Sequence, residues 1–204
     1  MDTVLQNSNP DNQQLTSSTV SNMAGLLQYI PNVFSKDECD AIIKIAEDTG
    51  FIQASFYTDS SGNQHYSSVR KSYRCMIDSH SFVKTLWERI RHLVPDTWDS
   101  KPVIGINERL RILRYYPGDE FKPHVDGHYV SPEGNHSQIT LLIYLNEDYK
   151  GAFTSYLSSN NHSWIQIVPK TGMVVLQDQS LLHYVPALQE GCKYAIRTEI
   201  MYKI

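Results

Sequence analysis

The sequence predicts a mainly β domain with supporting α structure: two helices near the N-terminus packed on a C-terminal β core of sandwich or barrel type. Three observations lead there. From Val103 onward, short β-prone runs follow one another at 104–116, 138–145, 152–157, 164–168, 173–177 and 194–202. Turn residues such as Pro117-Gly118, Pro132-Glu133-Gly134 and Thr171-Gly172 separate them, as sandwiches and barrels require. Upstream, two segments instead carry apolar residues at spacings of three and four. Finally, 204 residues with 41% hydrophobic and 20% charged side chains suffice for one ordinary domain that buries a core.

Taken in order, residues 1–22 are rich in Asn, Gln, Ser and Thr. They are expected to form a flexible polar leader, because so few apolar groups cannot offset the entropy of ordering. They also lack the basic start and apolar stretch of a secretory signal. Structure is expected to begin at 26–34. Ser35 with Glu38 forms a capping-box signature. Cys39, Ile42, Ile43, Ile45 and Ala46 then supply a helical stripe, and Gly50 a C-terminal stop. A second helix is expected at about 81–93, where Phe82, Leu86, Ile90 and Leu93 recur and Pro95 follows. Between the helices, 56–72 shows little periodicity and reads as a long mobile connection or hairpin, of a length that often serves as a lid. The expected organisation is a leader over 1–22 and a single domain over 23–204, with its β core at about 103–204.

Charge and cysteine usage exclude several classes. A net charge of −4 and the absence of a Lys/Arg run give no counterion-displacing face for nucleic acid. No apolar stretch approaches the roughly 18–20 residues that span a bilayer. The cysteines Cys39, Cys75 and Cys192 are odd in number and far apart. They fit reduced thiols of a cytoplasmic protein better than a disulfide framework or a zinc pattern.

The chemistry-bearing residues begin with His124-Val125-Asp126. On a strand, residues i and i+2 share a face, so an imidazole and a carboxylate converge. With a second histidine, such a set leaves open positions on iron for substrate and oxygen. Alone the triplet is weak, since among eight histidines one such match is expected about once by chance. His183 opens the run His183-Tyr184-Val185-Pro186 after a strand candidate, and ten residues on Lys193 begins the last strand. An ammonium there can act as a point charge for the distal carboxylate of an oxo-acid. Arg197, four residues along the same strand face, is the second choice for that cation.

Four segments, in order, then match one family. Tyr115-Tyr116-Pro117-Gly118-Asp119-Glu120-Phe121-Lys122-Pro123-His124-Val125-Asp126 fits Y-x-x-G-x-x-[FY]-x-x-H-x-D. Thr140-Leu141-Leu142-Ile143-Tyr144-Leu145-Asn146 fits the next strand, Pro169-Lys170-Thr171-Gly172 the turn before the distal histidine, and Gly191-Cys192-Lys193-Tyr194 the cation-bearing segment. Residues 107–202 thus resemble the prolyl 4-hydroxylase-like branch of the 2-oxoglutarate/iron(II) dioxygenases. The resemblance implies a double-stranded β-helix (jelly roll) packed against the N-terminal helices. It implies iron(II) held by His124, Asp126 and His183, 2-oxoglutarate held by Lys193 with Tyr144 and Thr154 as hydrogen-bonding neighbours, and Tyr115 lining the same pocket. Molecular oxygen is then the cosubstrate, ascorbate an optional reductant, and the reaction C–H hydroxylation coupled to decarboxylation of 2-oxoglutarate to succinate. One departure stands out: the family often has Gly-Gly-x-Thr-x-Phe where this chain has Gly151-Ala152-Phe153-Thr154-Ser155-Tyr156.

For substrate, the odd positions from Asn107 to Tyr115 share one face of a regular strand. With Tyr115 facing the pocket, Arg111 points inward too. Arg111, with Asn107, is expected to meet a substrate carboxylate or carbonyl; an internal salt bridge is the alternative. Arg70 and Arg74 follow the 56–72 segment and are candidates to close over substrate, with a solvated or structural role as the alternative. The substrate class stays open between a small molecule and a peptide, including prolyl 4-hydroxylation of a protein. The rival readings are a hydrolytic zinc site using the same ligands and a non-catalytic cupin-like metal-binding module.

Overall fold

The computed structural model describes residues 15–55, 57–58, 64–65, 68–160 and 162–203. Its architecture follows from a period-two alternation in the long strands. On Arg109–Tyr115, His136–Tyr144, Val174–Asp178 and Lys193–Tyr202 one set of side chains is largely apolar: Leu110, Ile112, Ile139, Leu141, Ile143, Val174, Leu176, Ile196 and Ile200, all buried, with Thr198 among them. The alternate set mixes apolar residues with Tyr115, Thr140, Tyr144, Gln177, Lys193, Arg197 and Glu199. A sheet with these faces must be covered on one side by hydrophobic elements and enclose polar groups on the other.

Both halves of that requirement are met. The main sheet is antiparallel throughout, in the order Ser18–Thr19, Leu27–Ile30, Val174–Asp178, His136–Tyr144, Lys193–Tyr202, Arg109–Tyr115, Tyr73–Asp78, Ile52–Gln53, with Lys101–Ile106 added beside the end of Lys193–Tyr202. A second antiparallel sheet runs Trp164–Gln166, Ser155–Leu157, His183–Val185, Glu120–His124, Arg70–Lys71. The two sheets form the jelly roll.

Helices α1 (Lys36–Thr49) and α2 (His80–Ile90) cover the apolar face. Cys39, Ile42 and Ala46 of α1 and Phe82, Leu86 and Ile90 of α2 join the apolar strand residues in one core cluster. Each large side chain buried there contributes roughly 1.5–3 kcal/mol. The capping box of α1 forms as expected, with Ser35 Oγ accepting from the Glu38 N–H and Glu38 accepting from the Ser35 N–H. Glu38 also receives the Arg89 guanidinium of α2 at 2.7 Å, which ties the helices together.

Several boundaries differ from expectation. The expected run at 104–116 is two strands, because the Asn107 side-chain oxygen accepts from the Arg109 N–H at 3.1 Å and breaks the ladder. Helix α2 ends at Ile90, followed by a 3-10 turn at Arg91–Leu93. Ser18–Thr19, inside the expected leader, pairs with Leu27–Ile30, so the boundary drawn at 22 falls within a hairpin. Residues 1–14 lie outside the described residues. Within 56–72, Tyr57–Thr58 pairs with Gln64–His65 as hairpin arms, and Arg70–Lys71 joins the second sheet; residues 56, 59–63 and 66–67 lie outside the described residues. No helix among the described residues is long and apolar enough to cross a membrane.

Candidate metal and cosubstrate site

Between the two sheets opens a cavity of about 670 Å³. Strands Glu120–His124 and His183–Val185 pair with His124 opposite His183, and the two imidazole centroids stand 4.3 Å apart. Asp126 arrives differently from the strand geometry expected: the strand ends at His124, and Asp126 sits in the following loop. Its N–H donates to the Gln179 carbonyl at 3.0 Å, which pins the loop beside the histidines. One ligand atom from each of His124, Asp126 and His183 lies within 4.8 Å of the others, and His183 Nε2 is 4.0 Å from Asp126 Oδ2.

Each ligand candidate is oriented by its neighbours. His124 Nδ1 lies 2.7 Å from the Lys122 carbonyl and His183 Nδ1 lies 2.8 Å from the Leu181 carbonyl. A carbonyl only accepts, so both Nδ1 atoms carry the proton and both Nε2 lone pairs are left for an ion. Phe121 stacks on His124 at 3.5 Å between centroids. Burial, reinforced by the neighbouring His183, lowers His124 to about 4, so its ring is neutral at physiological pH. The Asp126 carboxylate is held on both oxygens: Oδ2 accepts from Thr140 Oγ1 (2.6 Å) and Gln177 Nε2 (3.0 Å), and Oδ1 meets Arg197 Nη2 at 3.2 Å. Burial pushes its pKa upward, yet Arg197, His183 and Thr140 together outweigh it and hold the group at about 2. Two imidazoles and one ionised carboxylate approaching from one side suit a divalent transition metal with open positions.

Lys193 begins the last strand deep in the same cavity and is 2% exposed. Its Nζ donates to the Ala152 carbonyl at 2.6 Å and lies 5.4 Å from the ring centroids of both Tyr115 and Tyr144. No carboxylate among the described residues pairs with it. Burial lowers the ammonium to about 7. Tyr144 Oη is 2.9 Å from Thr154 Oγ1, completing a polar end wall. The departure at Ala152 is accommodated by a left-handed backbone, φ 51°, directly after Gly151 at φ 80°.

Arg197, the second-choice cation, is already engaged by Asp126 and by Glu199 at 2.9 Å. Arg111 lines the cavity but forms the internal salt bridge, its Nη1 2.8 and 3.0 Å from the two Glu199 oxygens. Asn107 donates to the same carboxylate at 2.9 Å. Arg70 and Arg74 both line the cavity; Arg70 lies over the Phe121 ring at 4.8 Å, and Arg74 donates to Ser55 Oγ at 2.9 Å.

Thr140, Gln177 and Glu199 escaped the reading of the sequence. The signal was present in the strand period: Glu199 stands two residues past Arg197 on the inner face, and Thr140 and Gln177 are polar positions inside otherwise apolar strands.

The family model of the 2OG-Fe(II) oxygenase superfamily matches residues 110–198. No curated protein sequence matches the chain. Among solved structures, a viral collagen prolyl hydroxylase from Paramecium bursaria Chlorella virus-1 aligns with TM-score 0.61 at 19% identity, covering 86% of this chain and 95% of that one. A prolyl hydroxylase in complex with a hypoxia inducible factor peptide from Trichoplax adhaerens aligns with TM-score 0.63 at 16% identity, covering 85% and 82%. A Pseudomonas putida prolyl-4-hydroxylase aligns with TM-score 0.59 at 10% identity, covering 93% of both. Residues 110–198 thus resemble the 2OG-Fe(II) oxygenase superfamily, and the chain shares the fold of these prolyl hydroxylases.

Proposed function

We propose that His124, Asp126 and His183 hold the iron(II) of this 2-oxoglutarate-dependent dioxygenase, that Lys193 receives the distal carboxylate of 2-oxoglutarate, and that the product is a hydroxylated C–H bond. The observation that carries the assignment is the pairing, in one cavity, of a three-ligand cluster with a buried lysine that meets no carboxylate among the described residues. A charged group without a counter-ion in such a place is costly unless a ligand supplies one. Iron with 2-oxoglutarate and oxygen, when bound, supplies the oxidising chemistry, and the cosubstrate leaves as succinate and carbon dioxide.

The chain's own residues do the positioning. The backbone carbonyls of Lys122 and Leu181 fix the histidine tautomers, while Thr140, Gln177 and Arg197 hold the Asp126 carboxylate in one orientation. The Lys193 ammonium fixes one end of the cosubstrate, with the Tyr144 and Thr154 hydroxyls beside it and the Tyr115 ring as a wall. The sheet-to-sheet enclosure excludes bulk water from that end. A hydrolytic zinc site would use the same three ligands but would leave Lys193 without a task, and a non-catalytic cupin-like module would not need a complete ligand set.

The test is succinate release from the purified protein. It should require both iron(II) and 2-oxoglutarate and disappear in His183→Ala. Succinate formation that ignores added iron(II), or that survives the loss of His183, would refute the assignment.

A further inference from the structure

We propose that the molecule oxidised in this cavity is an anion, bearing a carboxylate or phosphate group that Arg70 receives; the inference rests on the hydroxylase reading above. Among the described residues, five arginines and one lysine line the cavity, against the two carboxylates of Asp126 and Glu199. Most of these cations are accounted for. Arg109 forks onto Asp78 with both contacts at 2.9 Å, Arg111 and Arg197 share Glu199, Arg197 also meets Asp126, and Lys193 is reserved for the cosubstrate. An iron(II) ion and a 2-oxoglutarate dianion cancel in charge, so loading the site leaves the cationic surplus in place.

Arg70 is where that surplus is concentrated. Its Nε donates to Ser72 Oγ at 3.1 Å, and its guanidinium lies over the Phe121 ring that also stacks on His124. It is thus one aromatic ring away from a metal-ligand candidate. No carboxylate among the described residues pairs with it; Arg74 and Arg197 stand close enough to oppose its charge, and the Asp126 carboxylate, itself held by Arg197, close enough to favour it. One hydroxyl and one ring do not neutralise a partly buried guanidinium. An incoming carboxylate or phosphate would do so with two parallel hydrogen bonds, the geometry for which the planar guanidinium is suited. The anion has two conceivable sources, a small acid or an acidic side chain within a peptide. The cavity chemistry is common to both.

The experiment uses the full chain loaded with Mn(II) and 2-oxoglutarate. Sulfate, as the plainest anion probe, should raise its unfolding temperature more than chloride at equal ionic strength, and Arg70→Gln should erase that excess. Matched small acids and their amides, and short peptides with Glu or Gln, then identify the source. Acids or Glu peptides should bind at least tenfold more tightly than their neutral partners, with the preference lost in R70Q and only partly kept in R70K. Neutral partners that bind as well as the acids, no binding by any acid, or an undiminished sulfate response in R70Q would overturn the proposal. Should the protein fail to bind Mn(II) and 2-oxoglutarate at all, the hydroxylase reading falls instead. If R70Q does not fold, R70K decides: an acid preference equal to wild type there would also overturn it, because a point charge cannot replace the fork.

Discussion

Lys193 is a buried cation whose charge depends on what shares its cavity, and its pH behaviour follows. In the empty protein burial lowers it to about 7, below the ordinary lysine value. The unfolded chain therefore holds this proton to higher pH than the folded one. The lysine costs folding stability below about pH 7, and that cost fades as pH rises toward the ordinary value. Binding of 2-oxoglutarate runs the other way, because only the ammonium attracts the carboxylate. The dissociation constant for 2-oxoglutarate should rise by up to about tenfold per pH unit above 7, with net proton uptake on binding, both measurable by calorimetry in buffers of different ionisation heat. Lys193→Met separates stability from function. It should abolish 2-oxoglutarate binding at micromolar to millimolar concentrations while leaving the metal-free unfolding midpoint equal to or above wild type, since replacing a buried charge by an apolar group of similar size is often neutral or stabilising. A lowered midpoint in thermal denaturation would show that Lys193 is a structural ion rather than a ligand group.

At the scale of elements, three strands converge on Asp126. His136–Tyr144 supplies Thr140, Val174–Asp178 supplies Gln177 and Lys193–Tyr202 supplies Arg197, so one loop carboxylate is oriented by the inner face of the main sheet. Such outer partners set ligand basicity and direction. Thr140→Val or Gln177→Leu should weaken metal affinity roughly 10–100-fold with the far-ultraviolet circular dichroism unchanged; unaltered metal affinity by titration would contradict the role. On the opposite face, Glu38 both caps α1 and binds Arg89 at 2.7 Å while 3% exposed. Glu38→Ala takes the carboxylate away from a largely buried guanidinium, which keeps its bond to the Val33 carbonyl, and should cost about 3–5 kcal/mol, read as a shift in the denaturant midpoint. These two faces also explain what was legible in advance. The capping box and the Phe82, Leu86, Ile90 stripe are local signals, and both helices appear where they predict. Tyr73–Asp78 was not anticipated because YRCMID mixes exposed and buried positions without alternation. The break at Asn107 depends on its side chain folding back onto its own strand, which spacing alone does not reveal.

Across the whole molecule, the jelly roll brings together groups that are far apart in the chain: His124 and His183 by strand pairing, Lys193 and Arg197 by their common face on one strand. The cluster of His124, Asp126 and His183 was legible in the sequence because residue type and order carry it. The assignment of Arg111 and Asn107 could not be settled there, because their partner Glu199 comes from a strand about ninety residues later. Spacing from His183 favoured Lys193 over Arg197 as the proposed cosubstrate cation, and the carboxylates that Arg197 already holds support that preference. One cavity must bind iron(II) and 2-oxoglutarate together. The direct measurement is the visible absorption of the anaerobic protein titrated with iron(II) and then 2-oxoglutarate. A metal-to-ligand charge-transfer band should appear only with both present and vanish in Asp126→Ala. A featureless spectrum from well-folded protein, or a band that persists without Asp126, would contradict it.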